Sequence, residues 1–415
     1  MADFLHGTET VEVDKNGVTI TEVKSAVIGI VGTAPIQNVS EDDRSVNEIK
    51  LCLSEKDDAK YFGEETEGYT LPTALKAIRK NGGTVLAINV FDPDKHKSGE
   101  TGSETPDPTA VTEADIIGSV SAAGIRSGLK LFDEAMSRFG YAPKIILAPE
   151  YNATAAVLKA LEETADKCKG VALIDAPVGA TVSDAIEARG AGGDFDLNTS
   201  NPRLILCYPH VYAPNAVTAE EQLEPLSNYA ASTILGTDND RGYHVSPSNK
   251  EIKGITGLET NLTAQIDDPN CEVNQLNAAG YVTVFNGYGT GLRLWGNRSA
   301  AFPTSSKPET FICVRRTADM IEESIMSTAL ELQDEPGTKA WIDAVVSSVN
   351  RFLNTLVARG AIVDGSCWFP DDVNTTDTLA AGHYTFDYDF MPPTPAERIT
   401  FRASINKELL AALLA

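Results

Sequence analysis

Residues 111–286 alternate between segments of helical periodicity and short runs of β-branched and leucine side chains. The strand-like runs cover residues 144–148, 171–174 and 203–208, and the helical segments between them cover residues 153–168 and 182–189. Continuous apolar runs of this kind are typical of strands that are buried on both faces. Their alternation with helices predicts a layered α/β core built on a largely parallel sheet.

The segment before this core has the same character. Residues 26–31 and 84–91 are strand-like, and residues 71–79 are helical. Between these elements and the core, residues 92–109 are polar, contain proline and glycine, and have no period. This composition predicts an exposed loop.

The last third of the chain predicts two amphipathic helices. One apolar stripe indicates a helix that begins near Thr317, and a second stripe covers residues 342–356 and stops at Gly360, where a helix end favours a left-handed residue. The first stripe consists of Ile321, Ile325, Ala329 and Leu332. Before it, the apolar run from Phe311 to Val314 predicts a short strand.

Both chain ends contain extended patterns without a neighbouring strand to pair with. Near the N-terminus, apolar residues alternate with polar ones on either side of an Asn-Gly turn; they are Val11, Val13, Val18 and Ile20. Near the C-terminus, Ile399, Phe401, Ala403 and Ile405 alternate in the same way and predict a half-buried strand. Isolated strands are marginal in water, so each end needs a sheet to join. Residues 24–26 and the proline-rich residues 391–395 are candidate hinges between these ends and the body.

Charge and length limit the class of protein. The length of 415 residues predicts two or three domains. The net charge of −25 repels phosphate groups, which argues against nucleic acid or an anionic membrane as the main partner. Residues 292–359 depart from this acidity, with eight basic and eight acidic side chains. Either this balance is chance or the segment faces an acidic partner. The six scattered cysteines and the absence of a signal peptide indicate a protein made in a reducing cytoplasm.

The motifs of common catalytic sites are missing. The Gly29 to Gly32 turn lacks the spacing of a phosphate loop, and no Gly-x-Ser-x-Gly elbow occurs. The five histidines have no metal ligand at the spacing of known zinc motifs, and the paired acids do not match a calcium loop. We therefore expect no catalytic, cofactor-binding or metal-binding residues.

Several short motifs, in their order and spacing, resemble the tail sheath proteins of contractile bacteriophages and of phage-tail-like bacteriocins. They are AVIGIVGTAP at residues 26–35, GYHVSPSN at residues 242–249, GITG at residues 254–257, GLRLWGNR at residues 291–298, Arg315-Arg316 and PAERI at residues 395–399. The resemblance covers nearly the whole chain. It implies a subunit that polymerises around an inner tail tube and contracts to drive the tube through a cell envelope.

The resemblance also implies a division of the chain. We expect an N-terminal linker arm at residues 1–26, an α/β part at residues 27–110, a non-catalytic subtilisin-like α/β core at residues 111–298, and a C-terminal α+β sheath domain at residues 299–415 whose arm covers residues 396–415. In this family the arms of neighbouring subunits add strands to another subunit's C-terminal domain. The residues expected in arm contacts are Val11, Val13, Val18, Ile20, Glu397, Arg398, Ile399 and Phe401.

The expected partners are further copies of the chain, the tail tube protein, and baseplate and tail terminator proteins, with neither nucleic acid nor direct membrane binding. The basic residues expected to face the tube are Arg315, Arg316, Lys339, Arg351 and Arg359. The expected location is a virion tail or tail-like particle made in the bacterial host cytoplasm. Two alternatives stay open: a nucleotide- or small-acid-binding α/β enzyme, and a static shell protein.

Overall fold

The computed structural model of the chain describes residues 19–100, 103–152, 154–190 and 195–413. The strands are β1 (Val27–Gly32), β2 (Ile49–Cys52), β3 (Thr84–Asn89), β4 (Lys97–Ser98), β5 (Thr105–Pro106), β6 (Ile145–Leu147), β7 (Val171–Asp175), β8 (Leu204–Cys207), β9 (Val211–Pro214), β10 (Glu221–Glu224), β11 (Lys250–Glu251), β12 (Gly257–Leu258), β13 (Tyr281–Phe285), β14 (Arg293–Trp295), β15 (Asp364–Trp368) and β16 (Asp387–Met391). The α-helices are α1 (Glu55–Phe62), α2 (Thr70–Arg79), α3 (Glu113–Ile117), α4 (Ala135–Phe139), α5 (Ala155–Cys168), α6 (Val182–Glu187), α7 (Leu226–Arg241), α8 (Glu272–Ala278), α9 (Ile312–Ala329), α10 (Lys339–Arg359) and α11 (Thr376–Ala380).

A nine-stranded sheet organises most of the chain, with strand order β11-β14-β13-β8-β7-β6-β1-β3-β2. The central strands from β13 to β3 are parallel to their neighbours, and antiparallel pairs occur only at the two ends of this sheet. Every residue of β1, β7 and β8 is buried, as expected for parallel strands whose two faces are covered by helices. The predicted α/β core is confirmed. We call residues 26–300, which contain this sheet, the main unit.

The polar segment of residues 92–109 is only partly the exposed loop that its composition predicts. Strands β4 and β5 form a small hairpin at its tip, and their side chains are exposed. His96, however, is 3% exposed and stacks on Phe91 with 5.8 Å between ring centroids. One aromatic contact therefore fixes the base of this loop to the main unit.

Helices α9 and α10 and the antiparallel hairpin β15–β16 form a smaller second layer, which we call the C-terminal unit (residues 312–391). The predicted strand at Phe311 to Val314 is wrong, because α9 already begins at Ile312. Ile312, Cys313 and Val314 are all buried. An apolar run that is covered on every side has no period, so a helix cannot be told from a strand there. The end of the second helix at Gly360 is confirmed, with a left-handed φ of 75°.

Candidate assembly surface

The hairpin of the C-terminal unit has two outer edges that differ. Its five residue pairs run from Asp364 opposite Met391 to Trp368 opposite Asp387, and no third strand joins it among the described residues. On the β15 edge, the Asn350 side chain of α10 accepts from the Cys367 N–H and donates to the Cys367 carbonyl, both at 2.8 Å. The β15 edge is therefore capped by a side chain of its own subunit.

The β16 edge carries no such cap. Two residues that lie opposite each other in an antiparallel pair direct their main-chain N–H and C=O either both toward the other strand or both away from it. Because those of Cys367 point away from β16 to Asn350, those of Tyr388, opposite Cys367, point away from β15. Neither group has a hydrogen-bond partner in the part of the chain that the structure describes. An unpaired edge of this kind is a template for an additional strand.

A cavity of about 880 Å³ lies beside β16, between that strand and helices α9 and α10. We call it the acceptor groove. Its apolar wall includes Trp341, Val345, Tyr384, Phe386 and Tyr388. Two buried polar atoms on this wall, the Trp341 Nε1 and the Ser348 Oγ, have no hydrogen-bond partner among the described residues. The groove thus has both apolar surface and buried polar groups that the described residues leave uncovered.

The residues next to the N-terminal arm lie along α9. The Thr21 N–H donates to the Thr328 Oγ1 at 3.3 Å, and the Val23 N–H donates to the Ser324 Oγ at 3.1 Å. Ile20 packs against the core of the C-terminal unit. These contacts fix residues that the sequence indicated as the end of a free arm, just before the candidate hinge at residues 24–26.

Glu22 ties the same segment to both units. Its carboxylate accepts from the Arg359 Nη1 at 2.6 Å and from the Tyr243 hydroxyl. Burial and the hydrogen bond to Glu22 raise the pKa of Tyr243 well above its ordinary value. Since Tyr243 belongs to the main unit and Arg359 ends α10, this carboxylate bridges the two units.

The C-terminal arm, residues 396–413, is fastened only at its root. Glu397 accepts two hydrogen bonds from Arg298, at 3.0 Å from Nε and 2.7 Å from Nη2, and we call this contact the arm-root ion pair. The Arg298 guanidinium lies 3.5 Å from the Phe311 ring centroid and 4.9 Å from that of Phe302. Aromatic faces on this cation hold it in a fixed position for the carboxylate.

Beyond Glu397 the arm makes no strand in the isolated subunit. The side chain of Ile399 is 67% exposed, that of Phe401 is 90% exposed and that of Ile405 is fully exposed. The predicted half-buried strand is therefore absent here, because no partner strand is present to pair with it. The last segment, Lys407–Leu413, is a 3₁₀-helix that is exposed throughout.

Two family profiles and two curated relatives match this chain. A family profile described as phage tail sheath protein central domain matches residues 110–300, and one described as phage tail sheath C-terminal domain matches residues 304–406. The tail sheath protein of Burkholderia phage BcepMu is 38% identical over 479 aligned positions, which cover 99% of each chain. The tail sheath protein of Escherichia phage P2 is 27% identical and covers 100% of this chain and 98% of its own.

The chain belongs to the phage tail sheath family. Solved structures agree with the fold of this sheath protein. The sheath of an extracellular contractile injection system in its contracted state has a TM-score of 0.69 at 17% identity and covers 99% of each chain. The contracted helical sheath of the anti-feeding prophage has a TM-score of 0.68 at 19% identity, covering 97% of this chain and 100% of its own.

The basic residues that the sequence assigned to the tube lie in different environments in this sheath protein. Arg316 is 4% exposed and donates two hydrogen bonds to Asp238, at 2.7 and 2.6 Å. Arg315 is paired with Asp319 at 2.7 Å and Glu322 at 3.2 Å. Because the Arg316 guanidinium is buried and paired within its own subunit, the structure argues against its assignment to the tube; the Arg315 guanidinium is likewise paired within its own helix.

The other three basic side chains reach the surface. Arg351 is exposed, Lys339 is 86% exposed beside Asp343, and Arg359 is 52% exposed while bound to Glu22. Acidic side chains of α9, within residues 292–359, pair with basic side chains of the main unit. The pairs are Asp319 with Arg203, Glu322 with Lys169 and Glu323 with Lys144.

The residues predicted to make arm contacts also differ in their surroundings. Val11, Val13 and Val18 lie outside the described residues, whereas Ile20 is half-buried against the C-terminal unit. Arg398, Ile399 and Phe401 are exposed, and Glu397 is held by Arg298. The sequence did not indicate that Arg298, Glu22 and Asn350 make these contacts. Their partners are distant in the chain or on another element, so no local pattern reveals them.

Among the described residues, no group of three or more histidine, cysteine, aspartate or glutamate side chains is arranged to hold a metal ion. Within the same ranges, no helix combines the length and the apolar character needed to cross a bilayer.

Proposed function

We propose that this sheath protein is the structural subunit of a contractile tail sheath, which polymerises around an inner tail tube and shortens to drive that tube through the envelope of a target cell. Family membership supports this proposal, as do the names of its relatives. The observation that carries it is the C-terminal arm, which leaves its own subunit with alternating apolar side chains exposed. Such a segment is stable only when another copy covers it.

Exchange of arms would hold the polymer together. A net contribution of about 1 kcal/mol per hydrogen bond gives only a few kcal/mol for one added strand, with a further contribution from burial of Ile399 and Phe401. One such link is weak. When each subunit makes several links, every later association becomes effectively intramolecular, and the cylinder persists through avidity.

The work of contraction would come from packing. We infer that the extended and contracted arrangements differ in packing free energy, and that this difference is stored at assembly, since the sequence has no nucleotide-binding motif. The middle of the chain would then be a rigid, non-catalytic block. We assign residues 27–110 and 111–298 to two parts of that block, the second with a subtilisin-like arrangement, and residues 299–415 to the sheath domain.

The partners follow from the same proposal. Further copies of the chain are the main partner, the tail tube lies inside, and baseplate and terminator proteins lie at the two ends of a tail assembled in the bacterial host cytoplasm. Lys339, Arg351 and Arg359 are the candidates for the tube-facing surface, because their cationic groups reach solvent. Exposed ion pairs at such a surface are individually weak and sensitive to salt.

Deletion of residues 396–415 tests the proposal. We expect a soluble monomer with the circular dichroism and thermal unfolding of the intact chain, which forms no cylinders in electron micrographs. The intact chain, purified as particles, should give cylinders of two lengths. Normal cylinders from the truncated chain would refute arm exchange, cylinders of a single length would indicate a static shell, and small soluble oligomers from the intact chain would favour an enzyme.

A further inference from the structure

We propose that residues 20–25 form a releasable strap, which is fastened to both units in the longer form of the cylinder and detaches from both when the cylinder shortens. The inference rests on the proposed function and adds to it a source of the extra chain length that a moving subunit needs. Three features support it: the strap is held by side chains, one half-exposed ion pair makes its strongest contact, and the space against it is unfilled.

The main chain of the strap is held by side-chain hydroxyls of α9. The N–H groups of Thr21 and Val23 donate to these hydroxyls, which belong to Thr328 at 3.3 Å and to Ser324 at 3.1 Å. One turn of helix separates the two hydroxyls by about 6 Å along the axis, close to the spacing of alternate residues in an extended chain. The Ser324 hydroxyl also donates to the Met320 carbonyl at 2.6 Å, and this bond does not need the strap. The strap can therefore leave α9 without disturbing the helix.

The strongest contact of the strap is the ion pair of Glu22. Its carboxylate accepts a charge-assisted hydrogen bond from Arg359 at 2.6 Å and another hydrogen bond from the Tyr243 hydroxyl, so it fastens the strap to both units. The side chain of Arg359 is 52% exposed and that of Glu22 is 23% exposed, so water can solvate both charges when they separate. This ion pair can therefore open at a smaller cost than the buried pair of Arg316 and Asp238, which joins the same two units.

A cavity of about 520 Å³ lies against the strap. It is lined by residues 22–26 and by residues of the main unit that include Thr84 and Asn239. Apolar contact stabilises a segment in proportion to the area that it buries, and a segment beside an unfilled cavity buries little. Within the strap, Ile20 packs against the core of the C-terminal unit. Apolar packing therefore holds the start of the strap and contributes little along the rest of it.

Detachment moves the point at which the N-terminal arm leaves the body of the subunit. A fastened strap anchors the arm at Ile20, whereas a detached strap leaves the chain anchored where β1 begins, at Val27. The six residues of the strap span up to roughly 20 Å when extended. Thr21 and Val23 are β-branched, so the detached strap favours an extended conformation. An arm that is held by a neighbouring copy can then stay in place while its own subunit moves by a comparable distance.

A reversible lock on the strap is the first test. Val23→Cys combined with Ser324→Cys places two thiols where the Val23 N–H lies 3.1 Å from the Ser324 Oγ, and mild oxidation of long particles should join the strap to α9. The locked particles should stay long under the heating or guanidinium chloride treatment that makes particles of the unmodified chain shorten. Dithiothreitol should restore their shortening. Particles with either cysteine alone should still shorten after the same oxidation.

Two outcomes of this experiment overturn the proposal. Particles that shorten while a non-reducing gel shows the cross-link to be complete would mean that the strap stays on α9 throughout contraction. A pair of cysteines that cross-links in the free subunit and not in long particles would mean that the strap is already detached before contraction begins.

Removal of the ion pair is the second test. Glu22→Gln and Arg359→Gln should each make particles shorten roughly two- to fivefold faster than those of the unmodified chain, because detachment no longer separates two charges. The variant with both changes should shorten at the same rate as each single variant, because all three lack the same pair. Glu331→Gln removes a carboxylate at an exposed position just after α9 and should leave the rate unchanged.

The rates also separate the strap from other roles of these two residues. Additive effects of Glu22→Gln and Arg359→Gln would mean that the residues act through different contacts, and an unchanged rate in Glu22→Gln would mean that the pair does not hold the strap. Either result overturns the proposal. If the unmodified chain still forms cylinders of two lengths, the contractile function stands and the strap is wrong. If it forms cylinders of one length or none, the proposed function itself fails.

Discussion

The main unit and the C-terminal unit differ in the size of their sheets and in how many strand edges are left unpaired. In the main unit, nine strands are paired, the central strands are fully buried, and antiparallel pairs occur only at the ends. In the C-terminal unit, two strands form the whole sheet and the side chains of β16 alternate between exposed and half-buried. A two-stranded sheet is marginal by itself, whereas a nine-stranded sheet with covered faces is stable.

This difference indicates which part of the subunit is complete. The main unit has one contiguous hydrophobic core around its nine-stranded sheet, whereas the C-terminal unit has a smaller core, a groove and an unpaired strand edge. Buried ion pairs between α9 and the main unit attach the incomplete unit to the complete one. The subunit thus consists of a main unit with a large paired sheet and an attached C-terminal unit whose two-stranded sheet has an unpaired edge.

The largest expected effect is at the attachment between the units. Replacing Arg316 with alanine leaves the buried Asp238 carboxylate without its partner, so the free energy of unfolding should fall by about 3–5 kcal/mol. Arg351→Ala, at an exposed position, should change it by less than about 0.5 kcal/mol. Chemical denaturation measures both. An Arg316→Ala variant that is as stable as the parent but fails to assemble on the tube would reinstate Arg316 as a tube contact.

The second prediction contrasts an apolar residue in each environment. Ile30 in β1 is fully buried, and Ile30→Ala should lower the free energy of unfolding by about 2–5 kcal/mol through lost contacts and a residual cavity. Phe401→Ala should leave the unfolding of the monomer unchanged, because Phe401 is 90% exposed, and should impair polymerisation instead. A loss of monomer stability in Phe401→Ala would mean that the arm packs on its own subunit.

Sequence patterns predicted the main unit well for a physical reason. Runs such as residues 171–174 are apolar throughout because both faces of a parallel strand are covered, so burial is encoded locally. The same property caused the error at Ile312 to Val314, where a helix is covered on every side. The open edge, the Asn350 cap and the pairs Glu22–Arg359 and Arg298–Glu397 join residues far apart in the chain, and no local period encodes them.

The third prediction concerns the loop at residues 92–109, which is fastened to its own subunit, unlike the C-terminal arm beyond Glu397. Burial alone would raise the pKa of Asp115, yet hydrogen bonds from Lys95 and Thr112 lower it to about 2. Because the folded-state pKa lies below the unfolded value, the stabilisation is complete above about pH 4 and is lost as the pH falls toward 2. After allowance for solvent screening, Asp115→Asn should cost about 1 kcal/mol at pH 7.

Denaturation of both proteins from pH 7 to pH 2 measures this contribution. The difference between Asp115→Asn and the parent should disappear at the acid end. A difference that stays constant over the whole range would mean that packing, and not the charge of Asp115, fastens the loop at residues 92–109.

The smallest expected effect is at the arm-root ion pair. Glu397 is 44% exposed and Arg298 16%, so Glu397→Gln should change the unfolding of the monomer by less than about 1 kcal/mol. It should nevertheless release the arm root, because the Arg298 guanidinium then has no carboxylate to which it can donate its two charge-assisted hydrogen bonds. Proteolysis after Arg398 should become faster at low salt, and 1 M salt should abolish the difference from the parent by screening the pair.

Glu397→Asp is the matched control for this prediction, since it keeps the charge and shortens the side chain. Its rate of cleavage should fall between those of the parent and Glu397→Gln. If the Arg298–Glu397 ion pair did not fasten the arm root, all three proteins would be cleaved at one rate and salt would have the same effect on each. Salt-dependent cleavage confined to the two proteins with a carboxylate would instead identify the ion pair as the point where the rigid body ends and the exchangeable arm begins.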